Sequence, residues 1–396
     1  MMEEPQVQPE ESRPHGHPTD AKEVMGPKAE ALMWDLDLEG VHKGLTWWWW
    51  WWLFFFPDPE DPRRTRQLMI LWSTKYTDQI KVDYFDWRPE GEIQRKAQGD
   101  DIDLGFNGMT AAWWYDGRKM IDPVILEPNQ FKVRKRGADG VLDPQSPKDL
   151  RLSGQPGRYR LDIEMPEDGH AFHLDMHDWT PFMSEHRYRA NAYTKKYSYN
   201  ILRIYGNKVE GTYKVDGEEV DAAGSTAYFQ KVRVNAPAVP WYWTVLHTER
   251  GDYLDYFFPH IGPQLARKTE EPKSRLDWGD VMLNRSLQFW DEGRQRLFKF
   301  PKPKIKHRVT DEGLPVFNVR GSSGDATIEL ELEAYARAYW RFEQPKRFGF
   351  AKSILYYNEY PTQVNRFRLQ VGSEVTELGD LGWTRCNTEH TWGKLI

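Results

Sequence analysis

Hydrophobic and polar positions alternate with a period of two along most of this chain, and the cleanest example begins at Tyr159. Tyr159, Leu161, Ile163 and Met165 alternate with Arg160, Asp162 and Glu164, which predicts a strand with one buried and one wet face. Phe172, Leu174 and Met176 repeat the pattern against His173, Asp175 and His177. Further strands are expected over 196–205, 208–215 and 220–229, separated by Gly206-Asn207 and Asp216-Gly217, pairs that suit short hairpins. Such a succession makes an antiparallel meander. Residues 224–258 are expected to close it, through the aromatic runs Trp241-Tyr242-Trp243 and 253–258 joined at Gly251-Asp252.

Upstream, residues 46–56 read TWWWWWWLFFF. Side chains alternate along a strand, so six consecutive tryptophans must point three each way. Both faces are therefore covered, or one face lines a cavity. Residues 66–75 read as the returning strand, and Asp116-Gly117 marks another hairpin, before a strand at 124–133. Residues 134–155 are rich in Gly, Pro, Lys and Asp and are expected to be a surface insertion. Residues 1–40 are assigned to a disordered acidic, Pro-rich tail.

At 259–283 the composition turns to proline and mixed charge, which marks a linker. A second β pattern follows over 284–396. Within it, 331–341 has residues of good helix propensity, but alternation through Ile328, Leu330 and Leu332 favours strand. Strands never alternate with helical patterns, which excludes a dinucleotide-binding fold. The expected architecture is all-β in two parts, 41–258 and 284–396.

Composition sharpens this. The chain has 19 Trp, 19 Tyr and 19 Phe, which favours strands and an aromatic-lined site. A formal net charge of −6 with both signs interspersed gives no nucleic-acid footprint. The single cysteine, Cys386, cannot form an intramolecular disulfide, and no secretory h-region is visible, so a cytoplasmic location is expected. The longest apolar run, 47–56, is shorter than the roughly 20 residues of a spanning helix, so no integral membrane segment is expected. Oligomeric state is open. No Walker loop, nucleophile elbow or cysteine ligand spacing is present, so no cofactor and no metal are expected. The basic run Lys302, Lys304, Lys306 and Arg308 reads as a solvated linker.

Several stretches resemble the AttH-like, lipocalin-like proteins, which include the carotenoid 1,2-hydratases (hydroxyneurosporene synthases). They are Tyr197-Ser198-Tyr199, 211–217, 220–224, the Trp-rich strand, Pro240-Trp241-Tyr242-Trp243 with the Gly251-Asp252 turn, and Glu389-His390-Thr391-Trp392-Gly393. The resemblance spans roughly 47–396, without 134–155. It implies two lipocalin-like antiparallel β-barrels in tandem and a cavity for an apolar, isoprenoid or polyketide-like molecule. There is one departure. Where hydratase-like members have a Tyr-His-Asp-His-Asn-Trp run, this chain reads Tyr228-Phe229-Gln230-Lys231-Val232-Arg233, keeping only the tyrosine.

Hydrating, isomerising or cyclising an alkene needs a carboxylic acid to protonate carbon and π faces to stabilise the cation. Asp255, Asp175, Glu359 and Glu389 are the carboxylates with suitable neighbours. Asp255 and Tyr253 share a strand face, resemble a Tyr/Asp pair in hydratases, and with Tyr228 form the expected catalytic set. Trp241, Trp243, Trp48, Trp50, His173, Asp175, His177, Tyr357 and Glu359 are the expected ligand-binding residues. A His-x-Asp-x-His strand also suits a metal, a polar lumen or a plain wet face. Two alternatives stay open: a non-catalytic lipid carrier, favoured by Gln230-Lys231, and a carbohydrate-active protein, which would need a carboxylate pair not evident in the sequence.

Overall fold

The structure, a computed structural model, describes residues 20–89, 91–192, 197–215, 217–236, 239–261, 281–347 and 351–395. Its strands fall into two sheets. The first contains β1 (Thr46–Pro57), β2 (Thr65–Lys75), β3 (Asp101–Tyr115), β4 (Met120–Arg136) and β5 (Asp139–Pro144). It continues through β6 (Leu150–Gln155), β7 (Arg158–Met165), β8 (His170–Asp178), β9 (Ser198–Val215) and β10 (Ser225–Asn235). Each strand pairs antiparallel with the next, and β10 returns to pair with β1, so the sheet closes into a barrel.

Alternation decides what fills it. Trp48, Trp50, Trp52, Phe54 and Phe56 of β1 point inward and are fully buried with Phe106, Phe172 and Tyr213. Trp52 lies 4.7 Å from Phe229 and Phe56 4.6 Å from Tyr213, ring centre to ring centre. The lumen is a packed aromatic core. Trp47, Trp49 and Trp51 point the other way, towards the second sheet. The tryptophans therefore divide three and three, one set in the barrel core and the other on the inter-sheet face.

The second sheet begins with β11 (Trp241–Thr248), β12 (Tyr253–Ile261), β13 (Ser286–Asp291), β14 (Arg296–Phe300) and β15 (Lys304–Val309). It continues with β16 (Pro315–Ser323), β17 (Ala326–Ala334), β18 (Ala338–Arg347), β19 (Ala351–Val371) and β20 (Thr384–His390). The hydrogen-bonded order is β14-β13-β12-β11-β20-β19-β17-β16-β15, with β18 on the other half of the long β19. The sheet curls around its own core of Phe289, Phe317, Phe367 and Tyr256, so that a Cβ on Gly321 of β16 would lie 2.9 Å from Phe300 of β14. The chain is thus all-β, two antiparallel barrel-like sheets in tandem.

Three expectations need correction. Residues 134–155 are not an insertion: they supply the end of β4, β5 and β6. Val133, Leu142, Leu150 and Leu152 face the core, and the charged residues between them are simply the outward positions. Residues 20–40 are not a tail. They form a strand, Asp20–Met25, and two short helical turns that bury Met33, Trp34 and Leu36 in the first core. Trp34 lies so close over Gly140 that a Cβ there would be 2.1 Å from the indole. Residues 1–19 lie outside the described residues. Finally, β11 and β12 do not close the first meander: β11 pairs with β20 and β12 with β13. Local alternation announces a hairpin but not the sheet that receives it. Of the expected linker, Pro259–Ile261 ends β12 and 262–280 are outside the described residues.

Between the sheets a second layer of apolar side chains joins Trp51, Phe55, Trp113 and Trp243. A hairpin of Ile80–Val82 and Phe85–Trp87, leaving the first barrel between β2 and β3, crosses this layer and pairs with β18, Val82 opposite Phe342.

Candidate functional site

The inter-sheet layer holds a partly open cavity of about 540 Å³, a size suited to a small apolar molecule. Trp47, Trp49 and Trp51 line it from β1, and Trp241, Trp243 and Tyr357 line it from the second sheet. The cavity is on the face of β1 opposite the packed lumen, because the barrel core needs only alternate side chains. Trp51 meets Trp243 edge-on at 5.3 Å, and Phe342 bridges Trp47 at 5.4 Å and Tyr357 at 6.2 Å.

One wall carries a carboxyl pair. Glu359 on β19 and Glu389 on β20 are direct cross-strand partners, and Glu389 lines the cavity. The Tyr357 hydroxyl lies 2.8 Å from Glu359 Oε2 and 2.7 Å from Glu389 Oε1. A phenol has one hydrogen and cannot donate to both. One carboxyl must therefore hold a proton and donate in return. Trp113 Nε1 donates to Glu359 Oε2 at 2.8 Å, and Trp241 Nε1 donates to Glu389 Oε2. Among the described residues no cation pairs with either carboxyl. Burial, followed by the Glu389 charge, drives Glu359 well above the usual carboxylate range. Burial pushes Glu389 up to about 7, against the Tyr357 and Trp241 hydrogen bonds. The sequence contains this pair as two separately flagged acids; their juxtaposition is a product of β19–β20 pairing.

Of the other expected residues, Trp241, Trp243 and Tyr357 reach the cavity, with Glu359 behind Tyr357. Trp48 and Trp50 do not. They face the barrel core, where Trp50 stacks on Phe106 at 6.1 Å and donates to Met33 O at 2.7 Å. His173, Asp175 and His177 are also away from it, on the outer wall of the first barrel. His173 pairs with Asp162 at 3.0 Å and Glu164 at 2.8 Å, Asp175 with Arg160 at 3.0 Å, and His177 with Glu210 at 3.7 Å. Their inward neighbours Phe172, Leu174 and Met176 fill the lumen, so this strand has a plain wet face, and no cluster among the described residues suits a metal ion.

Tyr228, Tyr253 and Asp255 come together one layer behind the wall. The Tyr253 hydroxyl donates to Asp255 Oδ2 at 3.0 Å, and Arg203 Nη1 donates to the same oxygen at 3.2 Å. Burial raises the Asp255 carboxyl above its ordinary value, with the Arg203 charge opposing. Tyr228 packs against Trp51 at 5.7 Å and Trp243 at 5.4 Å, and its hydroxyl donates to Gln230 Oε1 at 3.3 Å. Gln230 lines the cavity. Lys231, its neighbour, points to the opposite side, where its amine donates to Leu32 O and Asp35 O. Sequence reasoning passed over Lys75, which also lines the cavity; the signal was a lysine on the same face as Met69 and Leu71.

No family model matches the sequence, and neither does any curated protein. Among solved structures the chain is similar to a candidate AttH from Nitrosomonas europaea, with 11% identity, a TM-score of 0.46, and coverage of 89% of this chain and 96% of that one. It is also similar to kievitone hydratase from Nectria haematococca, with 10% identity, a TM-score of 0.39, and coverage of 91% and 94%. The first carries the name of the AttH-like group that the sequence resembles. Likenesses this distant say nothing of what this chain binds or catalyses.

Proposed function

We propose that the protein binds an apolar small molecule in the inter-sheet cavity and acts on it by proton transfer from the Glu359–Glu389 pair, as a hydratase, isomerase or cyclase would. The observation that carries this is a buried carboxyl pair, joined through one phenol and with no cation beside it among the described residues, on the wall of an aromatic cavity. An acid whose pKa is lifted to about 7 by burial is protonated in a large share of molecules at neutral pH and can release that proton to a substrate carbon or oxygen. Trp241, Trp243 and the Trp47–Trp51 face supply π clouds for the positive charge that develops. Glu389 is the donor to substrate, and Glu359 and Tyr357 are the relay that reprotonates it. Tyr228, Tyr253 and Asp255 are the groups that position Gln230 and the Trp51–Trp243 corner.

Solvent extraction of the purified protein with mass spectrometry identifies the ligand. Turnover of that molecule is then measured in Glu389→Gln, with its binding measured separately. Lost turnover with retained binding supports the proposal. Retained turnover removes the acid from Glu389, and an empty protein that takes up oligosaccharides removes the apolar ligand. The carrier alternative corresponds to binding without turnover by the native chain.

A further inference from the structure

The cavity has a second polar feature that the acid pair leaves unused. Lys75 ends β2 directly across from Trp47 and lines the cavity, yet it is only 2% exposed. Its amine sits 4.4 Å from the Trp47 ring centre, held over the π face. Among the described residues no carboxylate forms an ion pair with it, and burial alone brings its pKa down to about 7. A methionine would pack an apolar wall at no electrostatic cost, whereas a lysine without a counter-ion is destabilising there. Burial without a counter-charge favours the neutral amine, which is a nucleophile and a poor anion site.

We propose that Lys75 is a covalent anchor for ligands bearing an aldehyde or ketone, which it captures as an imine. The inference rests on the cavity taking an apolar ligand, as proposed above. The Nζ lone pair attacks the carbonyl carbon, and a proton passes from nitrogen to oxygen to give the carbinolamine. That oxygen then leaves as water with the second amine hydrogen, and a C=N bond remains. No oxidant or reductant is consumed.

The placement also describes the ligand. Trp47 and Trp51 are four residues apart on β1, which at the strand rise is roughly 13 Å. Lys75 stands at the Trp47 end. Trp243, the edge-on neighbour of Trp51, is the cross-strand partner of Glu389. The occupant then has its carbonyl at Lys75 and its body against the β1 tryptophans.

The test uses 2-naphthaldehyde as probe and 2-naphthylmethanol as its match without a carbonyl. Binding is read by quenching of tryptophan fluorescence, and imine capture by reduction with cyanoborohydride and peptide mapping. A lysine with a pKa near 7 has far more free amine at neutral pH than an exposed one, so Lys75 should be trapped at least about tenfold faster than any other lysine. Lys75→Met and Lys75→Arg should each lose that adduct while still binding 2-naphthylmethanol, which also reports that the variant is folded. Adducts confined to other lysines of the native chain, while both probes quench, overturn the anchor and leave the cavity proposal standing. Failure of both probes to quench overturns the cavity proposal and the anchor together.

Discussion

The inter-sheet layer contains two buried carboxyl clusters, each built on a strand tyrosine two residues before the acid. Tyr253 and Asp255 have Arg203 at 3.2 Å; Tyr357 and Glu359 have a second carboxyl, Glu389, in the place of a cation. All three acids are at most 3% exposed, so burial opposes charge equally. The guanidinium supplies the counter-charge that makes an ionised Asp255 tolerable, which suits a fixed strut. In the other cluster the like group forces a proton to remain, which suits a donor. The same local motif, Tyr-x-acid, is turned to two uses by a partner that arrives from elsewhere in the chain.

The comparison can be broken in several ways. The largest effect should fall on turnover. Glu389→Gln should reduce it about 10²–10⁴-fold, the usual contribution of a general acid, with ligand affinity nearly unchanged. A larger loss in Asp255→Asn, at retained fold, would reverse the two roles. Stability tests the strut. Arg203→Met strands Asp255 without its cation and should cost about 3–5 kcal/mol in urea unfolding, with partial recovery when Asp255→Asn is added.

The pH dependence tests the acid pair next. The Glu389 carboxyl is raised to about 7 in the folded chain, so it keeps its proton after the unfolded chain has lost its own. Its contribution is then fully present below the unfolded pKa and declines as pH rises towards the folded one. Between roughly pH 4.5 and 7 the slope should be about 1.4 kcal/mol per pH unit for one such group. Glu389→Gln should flatten that limb of the stability profile. The smallest effect should come from Tyr357→Phe, about 1 kcal/mol, because it deletes a hydroxyl and leaves the packing intact.

Much of the fold was legible because alternation is a local signal. Tyr159 to Met165 declares its buried face within seven residues, and the six tryptophans had to divide between two faces. The errors arose where sequence neighbours do not decide. Lys, Asp and Gly at the outward positions of 134–155 obscured Leu142, Leu150 and Leu152. The Trp241–Phe258 hairpin was visible, but its sheet is chosen by partners at Ser286–Asp291 and Thr384–His390. The site was legible as ingredients: Trp241, Trp243, Tyr357, Glu359 and Glu389 all stood out as aromatic or acid-beside-aromatic positions. Their meeting was not, since Trp113 reaches Glu359 across 246 positions. Trp48 and Trp50 were placed in the wrong half of an alternation whose phase the sequence leaves undetermined.

The hairpin at residues 80–87 has a mechanical consequence. It grows from the first barrel and is hydrogen-bonded into the second sheet, with Asp83 N donating to Arg341 O at 2.9 Å and Asp83 Oδ1 accepting from Arg341 N at 2.7 Å. A hollow between two sheets tends to collapse by sliding, since apolar faces lose nothing by closing up. This splint resists that shear at Phe342, a residue of the cavity wall itself. The halves cannot then be cut apart as modules: separation leaves β18 with a bare edge and the first barrel with a stray ribbon. Melting should consequently be a single cooperative event, with the hollow kept open by the element that binds the halves together.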